Sequence, residues 1–301
     1  MVFMMAVRRW RVAGFRDDGR VDDYELLDFG EGARLERFGV FVTDRPAATA
    51  WGPRRTPAAW PAADVRFDPD AGWSGPRGRS LPECWQVRIA DLGLEARPTE
   101  AGQVGLFPEH AAMLGWLEDR VEARTAGPAV LNLFAYTGLT TLAVARAGAG
   151  VVHVDASRPA VAWARRNAER NGLADRPIRW LVDDAAGFVA REFRRDRRYE
   201  GIVLDPPSYG HGTGRGASRR TWHIERDLPD LLATCRAILA DDGFILLTAH
   251  TAGVGPDDLA DTLRDAGFGD PDPDRGELSV EAPDGRNLAL GAYARWDGGA
   301  R

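Results

Sequence analysis

The chain contains no lysine: its 39 basic residues are all arginine, set against 45 acidic ones, for a formal net charge of −6 over 301 residues. That balance excludes a generally basic, nucleic-acid-coating protein, and the bias towards Arg, Ala, Gly and Asp reads as the mark of a GC-rich genome. Cysteine is nearly absent. Cys84 and Cys235 alone give no disulfide framework. No apolar run is long enough to cross a bilayer, and the apolar start Met1–Val7 has no charged leading region and meets Arg8 and Arg9 at once, so no signal peptide is expected. No internal repeat is evident, and the Pro/Gly-rich stretch 51–80 is the one biased tract. A cytoplasmic protein with neither a membrane nor a metal partner is the expectation.

The second half of the chain is strongly periodic. Apolar strand runs at Ala129–Phe134, Val151–Val154, Ile178–Val182, Tyr199–Leu204 and Phe244–Thr248 alternate with helical stretches over Leu139–Ala147, Arg158–Asn171 and roughly 185–195, 225–240 and 256–266. Such alternation implies right-handed parallel crossovers, hence an α/β fold with a Rossmann-like doubly wound sheet. Ligands bind such sheets beyond the carboxyl ends of the strands. Asp155, Asp184 and Asp205 all fall there, beside the loop Tyr136-Thr137-Gly138. That loop offers one glycine where the dinucleotide fingerprint demands three, so a pyrophosphate-bearing ligand is disfavoured. A ligand with an adenosine and an amino-acid tail needs less: one close backbone approach, an acid for the ribose and another for the adenine. Asp155 is placed for the ribose, because a carboxylate accepts from two adjacent hydroxyls, and Asp184 for the adenine amino group. Each has a plain alternative as a helix N-cap.

Residues 201–210 read Gly-Ile-Val-Leu-Asp-Pro-Pro-Ser-Tyr-Gly, a buried strand run that stops at Asp205, Pro206 and Pro207. Each proline fixes φ and lacks an N–H, so the pair cannot extend a sheet and presents carbonyls without ladder partners. A stiff row of acceptors beside a carboxylate suits the gripping of a substrate amino group during methyl transfer to a planar nitrogen.

Three segments together, Leu131-Asn132-Leu133-Phe134-Ala135-Tyr136-Thr137-Gly138, His153-Val154-Asp155-Ala156-Ser157 and Asp205-Pro206-Pro207-Ser208-Tyr209-Gly210, resemble the class I S-adenosylmethionine-dependent methyltransferases, in the branch that includes large-subunit ribosomal RNA enzymes. The resemblance also takes in Tyr24–Asp28, Leu35–Gly39 and Gly105–Glu109, and so runs from about residue 20 to Trp296. It implies a seven-stranded sheet with an antiparallel last strand, for which Glu277–Ala282, a Pro283-Asp284-Gly285 turn and Leu288–Arg295 are the candidates. It further implies S-adenosyl-L-methionine as cofactor, with Tyr136, Thr137 and Gly138 at its methionine end, Asp155 and Ala156 at the ribose, Asp184 at the adenine, and Phe107 and Pro108 near the amino-acid tail. Asp205, Pro206, Pro207 and Tyr209 would form the acceptor rim. His110 departs from the amide expected at its position, and Asn132 stands where many such enzymes carry an acid.

The position after the fifth strand reads Thr248-Ala249-His250-Thr251, without the cysteine that relatives use to attack carbon 5 of cytosine. Cys235 sits in an apolar helical stretch and Cys84 in the first hundred residues, so direct attack by a nitrogen or oxygen is expected, with His250 able to take a proton or hydrogen-bond the acceptor. The chain divides into a small β-rich domain over 1–100 and a methyltransferase domain over 101–301. The first hundred residues hold 15 Arg against 16 acidic residues, a balance of −1, so RNA contact must come from local patches. Arg215, Arg219 and Arg220, in the Gly-rich segment beyond the rim, are the candidate phosphate contacts, with Tyr209 or Trp222 stacking on a base. The cluster Arg191–Arg198 reads instead as a solvated helix end. Methylation of a base in RNA, ribosomal RNA foremost, is the expected function. Methylation of a small molecule and a noncatalytic cofactor- or RNA-binding scaffold are the alternatives.

Overall fold

The computed structural model describes residues 23–75, 81–124, 127–211 and 221–299. The first strands form a five-stranded sheet in the order β1 (Tyr24–Gly30), β2 (Ala33–Phe38), β3 (Phe41–Pro46), β4 (Val65–Asp68) and β5 (Gly72–Ser74). The β1–β2 turn is tight because Glu31 and Gly32 both take positive φ, 56° and 77°, the twist that suits a two-residue hairpin. A separate hairpin follows, β6 (Trp85–Ile89) against β7 (Leu92–Ala96).

Helix α1 (Ala111–Glu122) leads into the large sheet, which is built by β8 (Ala129–Leu133), α2 (Leu139–Arg146), β9 (Gly150–Asp155), α3 (Arg158–Arg170), β10 (Ile178–Val182), α4 (Ala185–Arg194) and β11 (Tyr199–Leu204). A short ribbon, β12 (Tyr209–His211) with β13 (Thr221–His223), precedes α5 (Ile224–Ile238), β14 (Leu239–Ala249), α6 (Pro256–Asp265), β15 (Asp274–Glu281) and β16 (Asn287–Asp297). Sheet order is β10-β9-β8-β11-β14-β16-β15, parallel except for β16, which runs antiparallel to both of its neighbours. The chain reverses its direction of winding between β8 and β11, and the crevice at the carboxyl ends of those two strands is where such a sheet binds ligands.

Local chemistry explains the elements that point at the crevice. Ser157 caps α3 by accepting the Ala160 N–H, and Gly172, at φ 66°, follows its last turn. β8 and β11 are buried along almost their whole length, as a sheet covered on both faces requires.

One hydrophobic cluster joins the β-rich region to the sheet: Tyr24, Leu26, Trp85 and Leu94 pack in the same body as Leu117, Val130, Leu142 and Leu278. The opposite face of the sheet is closed by α4, α5 and α6, through residues such as Phe188, Leu232 and Leu263. Among the described residues no helix is long and apolar enough to cross a membrane.

Candidate active site

The loop between β8 and α2 carries two non-glycine residues at positive φ, Phe134 at 55° and Tyr136 at 47°, before Gly138 at 93°. Left-handed backbone costs a non-glycine residue on the order of 1–3 kcal/mol and persists where surrounding contacts impose it. Here the imposing contacts are visible. The Tyr136 N–H donates to Asp155 Oδ2 at 2.8 Å, Thr137 Oγ1 donates to the Gly105 carbonyl at 2.7 Å, and Asn167 Nδ2 donates to the Thr137 carbonyl at 3.0 Å. A Cβ on Gly138 would sit 3.0 Å from Ala164 Cβ, so the loop lies pressed against α3 and leaves its other side to the crevice.

Asp155 ends β9 and also accepts the Ser157 N–H at 2.8 Å. Burial pushes its carboxyl up, and the two backbone N–H groups pull it part of the way back. Asp184 caps α4 by accepting the Gly187 N–H at 2.7 Å, so the N-cap role anticipated as its alternative is real, yet the residue also lines the crevice. Its neighbour Asp183 lines it too and pairs with Arg191, which shows that the arginine-rich end of α4 reaches back to the ligand side at this one residue. Arg195 and Arg198 pair locally with Glu192 and Asp196.

A cleft of about 950 Å³ runs from Asp155, Ala156 and Asp184 to Asp205, Pro206, Pro207 and His250. Its far wall includes Thr99–Ala101, Gln103 and Trp163. That wall is held by the β-rich region: the fully buried Arg45 donates to the Gly102 carbonyl at 3.3 Å and to Gln103 Oε1 at 2.8 Å, while Glu36 neutralises it at 2.7 Å. Trp163 lies against Gly105, where a Cβ would meet its ring at 2.1 Å, and donates to the Glu95 carbonyl. Neither Arg45 nor Trp163 was singled out by the sequence, because nothing local distinguishes a buried arginine or a helical tryptophan that faces a ligand.

At the rim, Asp205 Oδ1 accepts from Thr248 Oγ1 at 2.7 Å. The Pro207 carbonyl is occupied by the Trp222 indole N–H at 2.7 Å, and the Trp222 ring packs on Phe134 at 5.0 Å between centroids. Trp222 is thus a buried wall of the rim, 7 % exposed, more than a free stacking platform. Tyr209 is 53 % exposed and meets His223 edge-on. Phe107 packs against Tyr136, His110 and His250, and Pro108 starts the 3-10 turn that carries His110. Arg215, Arg219 and Arg220 lie outside the described residues. Asn132 is spent internally: it donates to Thr141 Oγ1 at 2.8 Å, and Thr141 meets His153 Nδ1 at 2.9 Å. Cys235 is fully buried in α5, where burial pushes its thiol up, and Cys84 is exposed ahead of β6.

Fold and cleft together define a Rossmann-like enzyme that takes an adenosine-bearing cofactor without a diphosphate. The chain belongs to the S-adenosylmethionine-dependent methyltransferases, whose family model matches residues 43–272. The SAM-dependent methyltransferase from Agrobacterium tumefaciens is similar at 35% identity over 92% of this chain and 90% of that one, with a TM-score of 0.85. SMU.776, solved in complex with SAH, shares the fold at 18% identity, with 91% of this chain and 75% of that one covered and a TM-score of 0.70. Among curated proteins, ribosomal RNA large subunit methyltransferase K/L of Magnetococcus marinus is 30% identical over 55% of this chain and 22% of its own length. Ribosomal RNA large subunit methyltransferase K of Neisseria meningitidis serogroup B is 31% identical over 52% of this chain and 42% of its own. The chain spans less than half the length of these curated relatives. S-adenosyl-L-methionine is the family's cofactor, and the half-buried Asp155 carboxylate, which lines the cleft and holds the Tyr136 backbone, suits such a ligand.

Proposed function

We propose that this enzyme methylates a base in RNA, with ribosomal RNA as the substrate class, in the cytoplasm. The observation that carries the reading is the juxtaposition, within one cleft, of the Asp155 and Asp184 end with the Asp205-Pro206-Pro207 rim. The named activity of the curated relatives supports RNA as the acceptor.

When bound, the cofactor supplies an electrophilic methyl group. Tyr136, Thr137 and Gly138 hold its methionine end with Phe107 and Pro108 nearby, Asp155 and Ala156 hold the ribose, and Asp184 the adenine. Asp205 and the Pro206 carbonyl accept hydrogen bonds from the acceptor nitrogen and so aim its lone pair. Pro207, pinned by Trp222, stiffens that rim, and His250 lies beside it for hydrogen bonding or proton removal. Tyr209 and the arginines Arg215, Arg219 and Arg220 contact the RNA beyond the rim, and the small β-rich domain over 1–100 takes part in substrate binding, with Arg45 holding the cleft wall at Gly102 and Gln103. No cysteine adduct is formed, since neither Cys235, buried in α5, nor Cys84, exposed ahead of β6, lines the cleft.

The excess of acidic residues favours a second reading, methylation of a small molecule. Incubation with labelled cofactor and, in parallel, unmodified large-subunit RNA, assembled subunits and a metabolite extract decides between them: label in RNA supports the first, and label confined to a metabolite overturns it.

A further inference from the structure

His110 Nε2 and His250 Nε2 are 2.9 Å apart, and their ring centroids are 5.1 Å apart. The two imidazoles therefore meet nearly tip to tip, along the line of a nitrogen-to-nitrogen hydrogen bond. His250 Nδ1 lies 2.8 Å from the Leu290 carbonyl, an atom that can only accept, so Nδ1 carries a proton. The contact between the two Nε2 atoms then has room for one proton and no more, because two facing N–H groups would repel. With that proton on His110 and His110 Nδ1 bare, both rings are neutral; a further proton taken at His110 Nδ1 lets the shared one pass to His250, which becomes an imidazolium donating at both ends beside a neutral His110.

Once a proton is taken up, the charges around the pair place the positive charge on His250 and not on His110. Asp205 stands 3.5 Å from His250 Nε2 and 3.7 Å from His110 Nε2, and Glu109 stands 3.6 Å from His250 Nδ1. Glu109 is 2 % exposed, its Oε2 has no hydrogen-bond partner among the described residues, and the charge facing it from the β-rich region is that of Arg34, itself shared with Glu36. Burial alone would lower His250, but Asp205, Glu109 and the Leu290 carbonyl outweigh it and raise the group, whereas burial dominates at His110 and lowers it.

We propose that His110 and His250 act as one proton-sharing unit that takes up the proton released by a nitrogen acceptor at the Asp205 rim. The inference rests on nitrogen methylation at that rim. As the acceptor's N–C bond forms, the methyl–sulfur bond breaks with its electron pair left on sulfur. The methylated nitrogen then loses its N–H proton. That proton passes to the neutral pair, which becomes singly positive between Asp205 and Glu109. His250, 25 % exposed at its side chain, returns it to water. His110 is in this scheme what an amide in its place could not be, a second ring that sets when His250 is charged.

The test combines histidine-detected NMR titration with single-turnover methylation of unmodified large-subunit RNA across pH, for the parent, His110→Gln and His250→Gln. In the parent the His110 and His250 signals should move together through a single one-proton transition, and the rate should rise with pH through that midpoint. His110→Gln should leave His250 titrating alone at a shifted midpoint, move the rate profile by the same amount, and lower the plateau by about 10-fold or more. Independent titration of the two rings, stoichiometric Zn²⁺ binding that abolishes their coupling, or a profile unmoved by His110→Gln would overturn the proposal. If RNA is not methylated by the parent, the RNA reading falls; the profile is then read on the metabolite-extract acceptor, and the titration still decides the pairing.

Discussion

The indole N–H of Trp222 donates to the carbonyl of Pro207 at 2.7 Å, so the central residue of the second strand in the β12–β13 ribbon fixes the acceptor rim. Two prolines stiffen the rim from within and Trp222 stiffens it from outside. Trp222→Phe keeps the ring and its packing on Phe134 but removes the donor. A neutral hydrogen bond contributes about 0.5–1.5 kcal/mol, so the methyl-transfer rate should fall roughly 2- to 12-fold with cofactor affinity unchanged. Single-turnover kinetics beside calorimetry checks this, and an equal loss in cofactor binding would mean that Trp222 supports the whole cleft and not the rim.

Asp155 is the counterpart at the cofactor end. Its two oxygens already hold the backbones of Tyr136 and Ser157, so Asp155→Ala removes a ligand contact and releases a loop held at positive φ. The loss of a charge-assisted hydrogen bond, about 1.5–3 kcal/mol, should weaken S-adenosylmethionine binding roughly 10- to 150-fold. An unchanged dissociation constant by calorimetry would remove Asp155 from the site.

The strand ends were legible because parallel strands buried on both faces write themselves as apolar runs: β10 and β11 begin and end where the pattern places them. Their terminal acids followed from the same runs. The tip-to-tip histidines were not legible, since His110 and His250 are 140 residues apart and only the fold brings them together. Phe134 and Tyr136 carry no residue-type sign of their left-handed backbone, which is imposed by Asp155 and the packing of Gly138 on α3. The wall formed by 99–103 was hidden for a similar reason, as Arg45 reaches it from a different sheet. A charge count over residues 1–100 can test for a basic RNA-gripping surface but is blind to a buried arginine that shapes a cleft.

Cysteine chemistry has a direct test. Cys84→Ser with Cys235→Ala should keep most of the turnover, provided that the small cavity left in α5 is tolerated. Loss of activity in the folded double variant, with a covalent RNA complex trapped in the parent, would overturn attack by nitrogen or oxygen.

His153 makes stability sensitive to mild acid: it is fully buried on Thr141, and its Nε2 has no hydrogen-bond partner among the described residues. Burial, with Arg165 adding to it, lowers its pKa from 6.5 to about 3. Above the unfolded value neither state binds the proton. As pH falls from 6.5 towards 3 the unfolded chain takes it up and the folded one does not, so stability is lost across that window, by up to a few kcal/mol. His153→Gln should therefore be relatively better tolerated at pH 5 than at pH 7 in urea titrations. A stability difference from the parent that is the same at both values would show that burial does not lower the folded-state pKa of His153.

RNA and small-molecule substrates separate most sharply through Arg215, Arg219 and Arg220. The two ends of their segment are set by the antiparallel pairing of β12 with β13, where His211 faces Thr221, and that ribbon is rooted at the rim through Trp222 and Pro207. Replacing all three by Gln should leave cofactor affinity nearly unchanged, weaken RNA binding at every sequence tested, and flatten the salt dependence by up to about 0.7–0.9 per lost phosphate contact. A small neutral acceptor would be methylated at the parent's rate. Filter binding over a salt series measures the slope, and a triple variant with the parent's slope and RNA turnover would take these arginines out of the phosphate contacts and turn attention to the acidic net charge as a guide to a smaller substrate.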